Sequence, residues 1–97
     1  MPTYVVLINW TEQGVKNFNE TVDRYEQARQ GSQEMGVTWR ETVWTSGPYD
    51  IVSIIDGPDD ETVMAALLNV ASKGNIRTTT LRAFSADEMR SLVERAG

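Results

Sequence analysis

The segment from Thr3 to Trp10, TYVVLINW, is short, β-branched and aromatic, and it is apolar on both of its alternating faces. In an extended chain one face carries Tyr4, Val6, Ile8 and Trp10, and the other carries Val5, Leu7 and Asn9. A second segment, YDIVSIID, repeats the pattern, with Ile51 and Ile55 opposite Val52 and Ile54. Two such strands require cover on both sides, which rules out a sheet that turns one polar face to water.

The rest of the chain supplies cover for one side. Thr11 is placed to cap a helix whose apolar stripe would be Val15, Phe18, Val22 and Tyr25, running to about Gln33 before GSQEMG interrupts it. Val37 to Ser46 alternates with charges on both faces, as an edge strand does, and ideal alternation puts Trp39 and Trp44 on opposite faces unless a bulge intervenes. A turn at SGP makes a hairpin with YDIVSIID the economical connection. GPDDETVMAALLNVASKGN follows as the clearest helix. Its acids oppose the positive end of the dipole, and Val63, Ala66, Leu67, Val70 and Ala71 form its packing stripe. NIRTTTLRAF reads as a fourth strand, and SADEMRSLVERA as a short helix with Ser85 and Glu88 spaced for a capping box.

The order βαββαβ, with an added C-terminal helix, is that of a ferredoxin-like α+β fold with both long helices on one side of an antiparallel sheet. The opposite face would keep large aliphatic residues in water whichever register the helices choose. The expectation is a homo-oligomer, in its simplest form a dimer joined through the two sheet faces as a dimeric α+β barrel.

Ninety-seven residues predict a single domain spanning 1–97. With no cysteine and no histidine, neither a thiolate zinc site nor histidine-ligated haem can form, so the expectation is no cofactor and no metal. The formal charge of −5, from 14 acidic and 9 basic side chains, opposes nucleic acid and anionic membranes as general partners. No apolar run approaches a bilayer span, and a cytoplasmic location is expected.

Three groups of residues are candidates for a ligand pocket. Tyr49 and Asp50 open the third strand beside a turn, as a hydroxyl donor and a carboxylate, but adjacent strand residues point apart. A structural role, with Asp50 capping backbone donors or pairing with an arginine, is therefore favoured over a catalytic pair. Asn75, Arg77 and Thr79 would form a polar row on one face of the fourth strand, and with Asn9 they are placed to hold a carboxylate or enolate if that face lines a barrel interior. Trp44 would supply the apolar wall of a pocket for a small apolar or aromatic ligand.

The stretches YVVLINWTEQGVKN, GPYDIVSIIDGPDDE and GNIRTTTLRAFSADEM together resemble the GYD domain family over almost the whole chain. The Gly-Tyr-Asp element of that family falls on Gly47, Tyr49 and Asp50, with Pro48 between the first two. The resemblance implies a dimeric α+β barrel. Members of that wider superfamily include cofactor-independent oxygenases, haem binders and effector binders, and the missing histidine argues against the usual haem and metal versions. The leading expectation is a non-catalytic structural or small-ligand-binding homodimer. The alternatives are a cofactor-independent oxygenase or related enzyme acting on an aromatic, enolisable compound, and a regulator that binds a protein partner.

Overall fold

The computed structural model describes residues 1–97. Strand β1 (Thr3–Trp10) leads into a short helix α1 (Glu12–Lys16), a 3-10 turn at Phe18–Glu20, and helix α2 (Thr21–Glu34). Strands β2 (Thr38–Trp44) and β3 (Ile51–Asp56) form a hairpin, followed by α3 (Asp60–Ala71), β4 (Ile76–Ala83) and α4 (Ala86–Ala96). The four strands make one antiparallel sheet in the order β2-β3-β1-β4, so the two doubly apolar segments pair at its centre. This is the ferredoxin-like βαββαβ order with an added C-terminal helix. No helix is long and apolar enough to cross a membrane.

The helices cover the face that carries Tyr4, Val6 and Ile8 of β1 and Ile51, Ser53 and Ile55 of β3. Val63, Ala66 and Leu67 of α3 close the core from above. Fully burying an aliphatic side chain contributes about 1.5–3 kcal/mol, so Val6, Ile8 and Ile55 are major contributors. Ser53, the one polar residue in the central row, is satisfied by the Thr42 hydroxyl at 2.8 Å.

The other face has no helix over it. Val5 lies between Ile54 and Leu81, and Leu7 between Val52 and Thr79, with Val43 continuing the second row onto β2. Val5, Leu7, Val52 and Ile54 are half-buried, while Val43 and Leu81 are each 47% exposed.

Strand β2 departs from ideal alternation. Trp39 pairs with Ile55 and Glu41 with Ile54, so Arg40 is an extra residue that shifts the alternation by one. Trp44 consequently pairs with buried Ile51, and both tryptophans lie on the helix-covered face.

The first helix also departs from the sequence pattern, because it breaks at Asn17 (φ −111°, ψ 39°). The Arg24 guanidinium satisfies carbonyls near the break, donating to Asn17 O at 3.0 Å and to Gly14 O at 3.1 Å. After the break, Tyr25, Ala28 and Ser32 turn towards the sheet, while Val15, Phe18 and Val22 stay 47%, 61% and 54% exposed. The expected packing stripe is thus divided, and its first three members face outward.

Helix α1 docks on the start of β4. Thr11 N donates to Asn75 O at 3.0 Å, and its hydroxyl donates to Gly74 O at 2.6 Å while accepting from Gly14 N. A side chain at Gly14 would meet Asn75 O at 2.0 Å, so glycine is required by the close approach of two backbones. Asp59 caps α3 by accepting from Thr62 N, which holds its carboxyl below the usual range. Ser85 and Glu88 form the capping box that their spacing predicts, at 2.9 and 3.1 Å.

Helix α4 has no buried residue and no extensive contact with the sheet or the other helices. The molecule measures 50 Å in its longest extent, and the radius of gyration, 14.5 Å, exceeds the roughly 12.5 Å expected for a compact chain of this length.

Two glycines should respond oppositely to alanine. Gly31 lies inside α2 with open space around its missing Cβ, so Gly31→Ala should raise the unfolding free energy by about 0.5–1 kcal/mol in urea titration. Gly14→Ala should lower it, because the Asn75 backbone must move.

Candidate functional site

A cavity of about 320 Å³ lies between α2, α3 and the covered face of the sheet. Its sheet side is apolar and aromatic, formed by Ile8 and Trp10 of β1, Trp39 of β2, Ile51 of β3 and Ile76 of β4. Tyr25 and Ala28 of α2 face Val70 of α3 across it. The Tyr25 ring lies 6.2 Å from Trp39 and meets Trp44 edge-on at 5.6 Å, and Trp44 Nε1 donates to the Thr21 hydroxyl at 3.0 Å. The polar lining comes from Arg24, Lys73, Gln27, Asn69 and Asn75 among others, and no aspartate or glutamate contributes.

The residues singled out from the sequence do not converge on one place. Asn9 pairs with Arg77 and Leu7 with Thr79, so Asn9, Arg77 and Thr79 lie together on the uncovered face. Asn75 precedes β4, outside the strand alternation that aligns Arg77 and Thr79; its side-chain oxygen accepts from Gln13 Nε2 at 2.9 Å, and it lines the cavity on the covered side. Trp44 lies on the covered face at the sheet edge, and Tyr49 and Asp50 lie in the β2–β3 connection. The sequence reading missed Arg24, Lys73, Tyr25 and Trp10 as neighbours around one space. The helical spacing of Thr21, Arg24, Tyr25 and Ala28 was a usable signal for the first of these, but the docking of α1 and α3 was not.

The Gly-Tyr-Asp element joins the central strands. Gly47 has a φ of +123°, a conformation that suits glycine. Thr45 closes the loop, its N–H donating to Asp50 O at 2.8 Å and its hydroxyl to Tyr49 O at 2.6 Å. Asp50 then bonds β1 twice: its N–H donates to Ile8 O at 2.9 Å, and its carboxylate accepts from Trp10 N at 2.9 Å. The aspartate thereby extends the β1–β3 pairing beyond the last regular pair, Ile8 with Ile51.

A second polar cluster sits near the other end of β1. The Tyr4 hydroxyl donates to the Asp60 carboxylate, which raises the phenol pKa and keeps it protonated. Arg82 lies over the Tyr4 and Phe84 rings at 5.6 and 4.6 Å from their centroids. The phenol tie joins β1 to α3, and a phenol held protonated is a donor rather than a base. No group of three or more histidine, cysteine, aspartate or glutamate side chains is placed to hold a metal ion.

The fold and this geometry define a small ferredoxin-like α+β protein with a cavity on its covered face and a bare apolar surface on the other. The chain belongs to the GYD domain family, whose model matches residues 4–93. It is 31% identical over 90 residues to a Thermus thermophilus protein named "Glutamine synthetase and cystathionine beta-lyase binding protein", a match covering 92% of this chain and 95% of that one. It is also similar to the crystal structure of TTHA0845 from Thermus thermophilus, with a TM-score of 0.58 and 26% identity, over 89% of this chain and 96% of that one.

If Asp50 serves to bond the strand ends, Asp50→Ala should cost about 1–3 kcal/mol in urea unfolding, because the Trp10 N–H loses a charged acceptor. Asp50→Asn retains an acceptor oxygen and should cost less.

Proposed function

We propose that this chain is a non-catalytic binding protein that works as a homodimer and whose partners are enzymes. The observation that carries the reading is the outward position of Val15 on α1, Phe18 in the 3-10 turn and Val22 at the start of α2, three large apolar side chains left on the surface. Exposed apolar side chains of this kind are surface for another protein to cover. The Thermus thermophilus relative, matched over nearly its whole length, is named for binding two enzymes, which supports the same reading.

The uncovered sheet face is assigned to the second copy. Four strands about 4.8 Å apart and about seven residues long at 3.4 Å per residue present roughly 450 Å² per subunit. Two such faces bury about 900 Å², short of the 1,200–2,000 Å² of a stable interface. Helix α4 makes up the difference by crossing to the partner copy with Met89, Leu92 and Val93. In the isolated subunit that stripe is largely exposed, and a lone helix of 11 residues is marginal in water. The dimer leaves the outer helical stripe free for the enzyme.

The two surfaces can be tested separately. Light scattering at micromolar concentration should give the mass of two chains, and Leu7→Glu should reduce it to one. Immobilised dimer should bind purified glutamine synthetase or cystathionine β-lyase, and Phe18→Glu should weaken that binding by about tenfold or more while leaving the dimer mass intact. A wild-type mass of one chain would remove the dimer, and failure of both enzymes to bind at tens of micromolar would remove the proposed partners.

A further inference from the structure

Independently of any protein partner, we propose that the cavity between the helices and the sheet binds a small organic acid, with one or two planar rings against the tryptophan surface and a carboxylate held by Arg24 and Lys73. The cavity volume, about 320 Å³, is that of a small-ligand site, and its apolar surface combines the rings of Trp10, Tyr25 and Trp39 with aliphatic side chains.

The charge of the lining points to an anion. The chain carries a formal charge of −5, yet the cavity is lined by two cations and no carboxylate. Neither cation is neutralised elsewhere: the ion pairs of the molecule are Lys16–Glu12, Arg29–Glu26, Arg40–Asp56 and Arg90–Asp87. Both also flank the same element. Arg24 is fixed through Gly14 O and Asn17 O, which use two of the five N–H donors of its guanidinium. Lys73 is joined to α1 through its carbonyl, which accepts from Gln13 Nε2 at 3.1 Å. A guanidinium held in place by backbone carbonyls keeps its remaining donors in a geometry suited to a carboxylate.

A second observation concerns the tryptophans that line the cavity. The indole N–H groups of Trp10 and Trp39 are buried and meet no acceptor of the protein, and Trp39 is only 7% exposed. Indole is a donor only, and a buried donor without an acceptor is destabilising. Trp44, by contrast, has its N–H on Thr21. Both residues also line the cavity, so their unmatched N–H groups lie in its wall and report on what occupies it.

The three indole N–H resonances provide the assay, with Trp44 as internal reference. Titrating the protein with benzoate, phenylacetate and indole-3-acetate should shift the Trp10 and Trp39 signals saturably for at least one acid, with the matching amide about tenfold weaker. Lys73→Ala, at an exposed position, should weaken binding without altering the circular dichroism spectrum. Gly31→Phe should block the site from its rim, where an added Cβ meets nothing within 4 Å. The proposal fails if none of the three acids moves the Trp10 or Trp39 signals at millimolar concentration. It fails equally if acids and amides bind alike, or if both folded variants bind as the wild type does.

Discussion

The pairing of β1 with β3 is the constraint on which the remaining structure depends. Both strands are apolar on both faces, and in register they place Tyr4 beside Ile55 and Ile8 beside Ile51 on one side, with Val5 beside Ile54 and Leu7 beside Val52 on the other. One side is closed by α2 and α3, and this forms the core. The other has no counterpart within the chain, so the element that builds the core also builds a surface in need of cover. Asp50 secures this pairing at the end nearest the cavity, bonding Ile8 and Trp10 after the regular ladder has stopped.

The break in the first helix shapes the covered side. An unbroken helix would have carried Val15, Phe18 and Val22 along the same stripe as Tyr25. Turning the chain at Asn17 lets α1 dock on the start of β4, with Gly14 against the Asn75 carbonyl, while α2 packs towards the sheet with Tyr25, Ala28 and Ser32. Arg24 is central to both results, since it satisfies the Gly14 and Asn17 carbonyls and lines the cavity. The same break that places the outer apolar stripe on the surface thus also sets a cation beside the aromatic wall.

The order of elements was legible because it rests on local patterns. Short β-branched runs apolar on both faces mark β1 and β3, period 3.6 marks α3, and Ser85 with Glu88 marks the start of α4 by contacts only three residues apart. The structural role of Asp50 was legible in outline, since a carboxylate after a Gly-Pro turn has backbone donors near it, although its partner Trp10 lies 40 residues away. The candidate pocket was less legible. A single extra residue, Arg40, moved Trp44 to the face of Trp39, and Asn75 falls just before β4 begins, bonded to Gln13 and out of line with Arg77 and Thr79. Each displacement is one residue in size, yet each changes the face on which a side chain falls.

The sequence by itself determined the ferredoxin-like order, the central position of two doubly apolar strands and the surplus of apolar surface, because side-chain periodicity and capping act over a few residues. Only the tertiary structure decided which face the helices cover, where the first helix breaks and which side chains surround the cavity. Those outcomes depend on contacts such as Thr11 with Asn75 and Asp50 with Trp10, between residues 64 and 40 positions apart. No local pattern encodes them, since their energy exists only once the strands have paired.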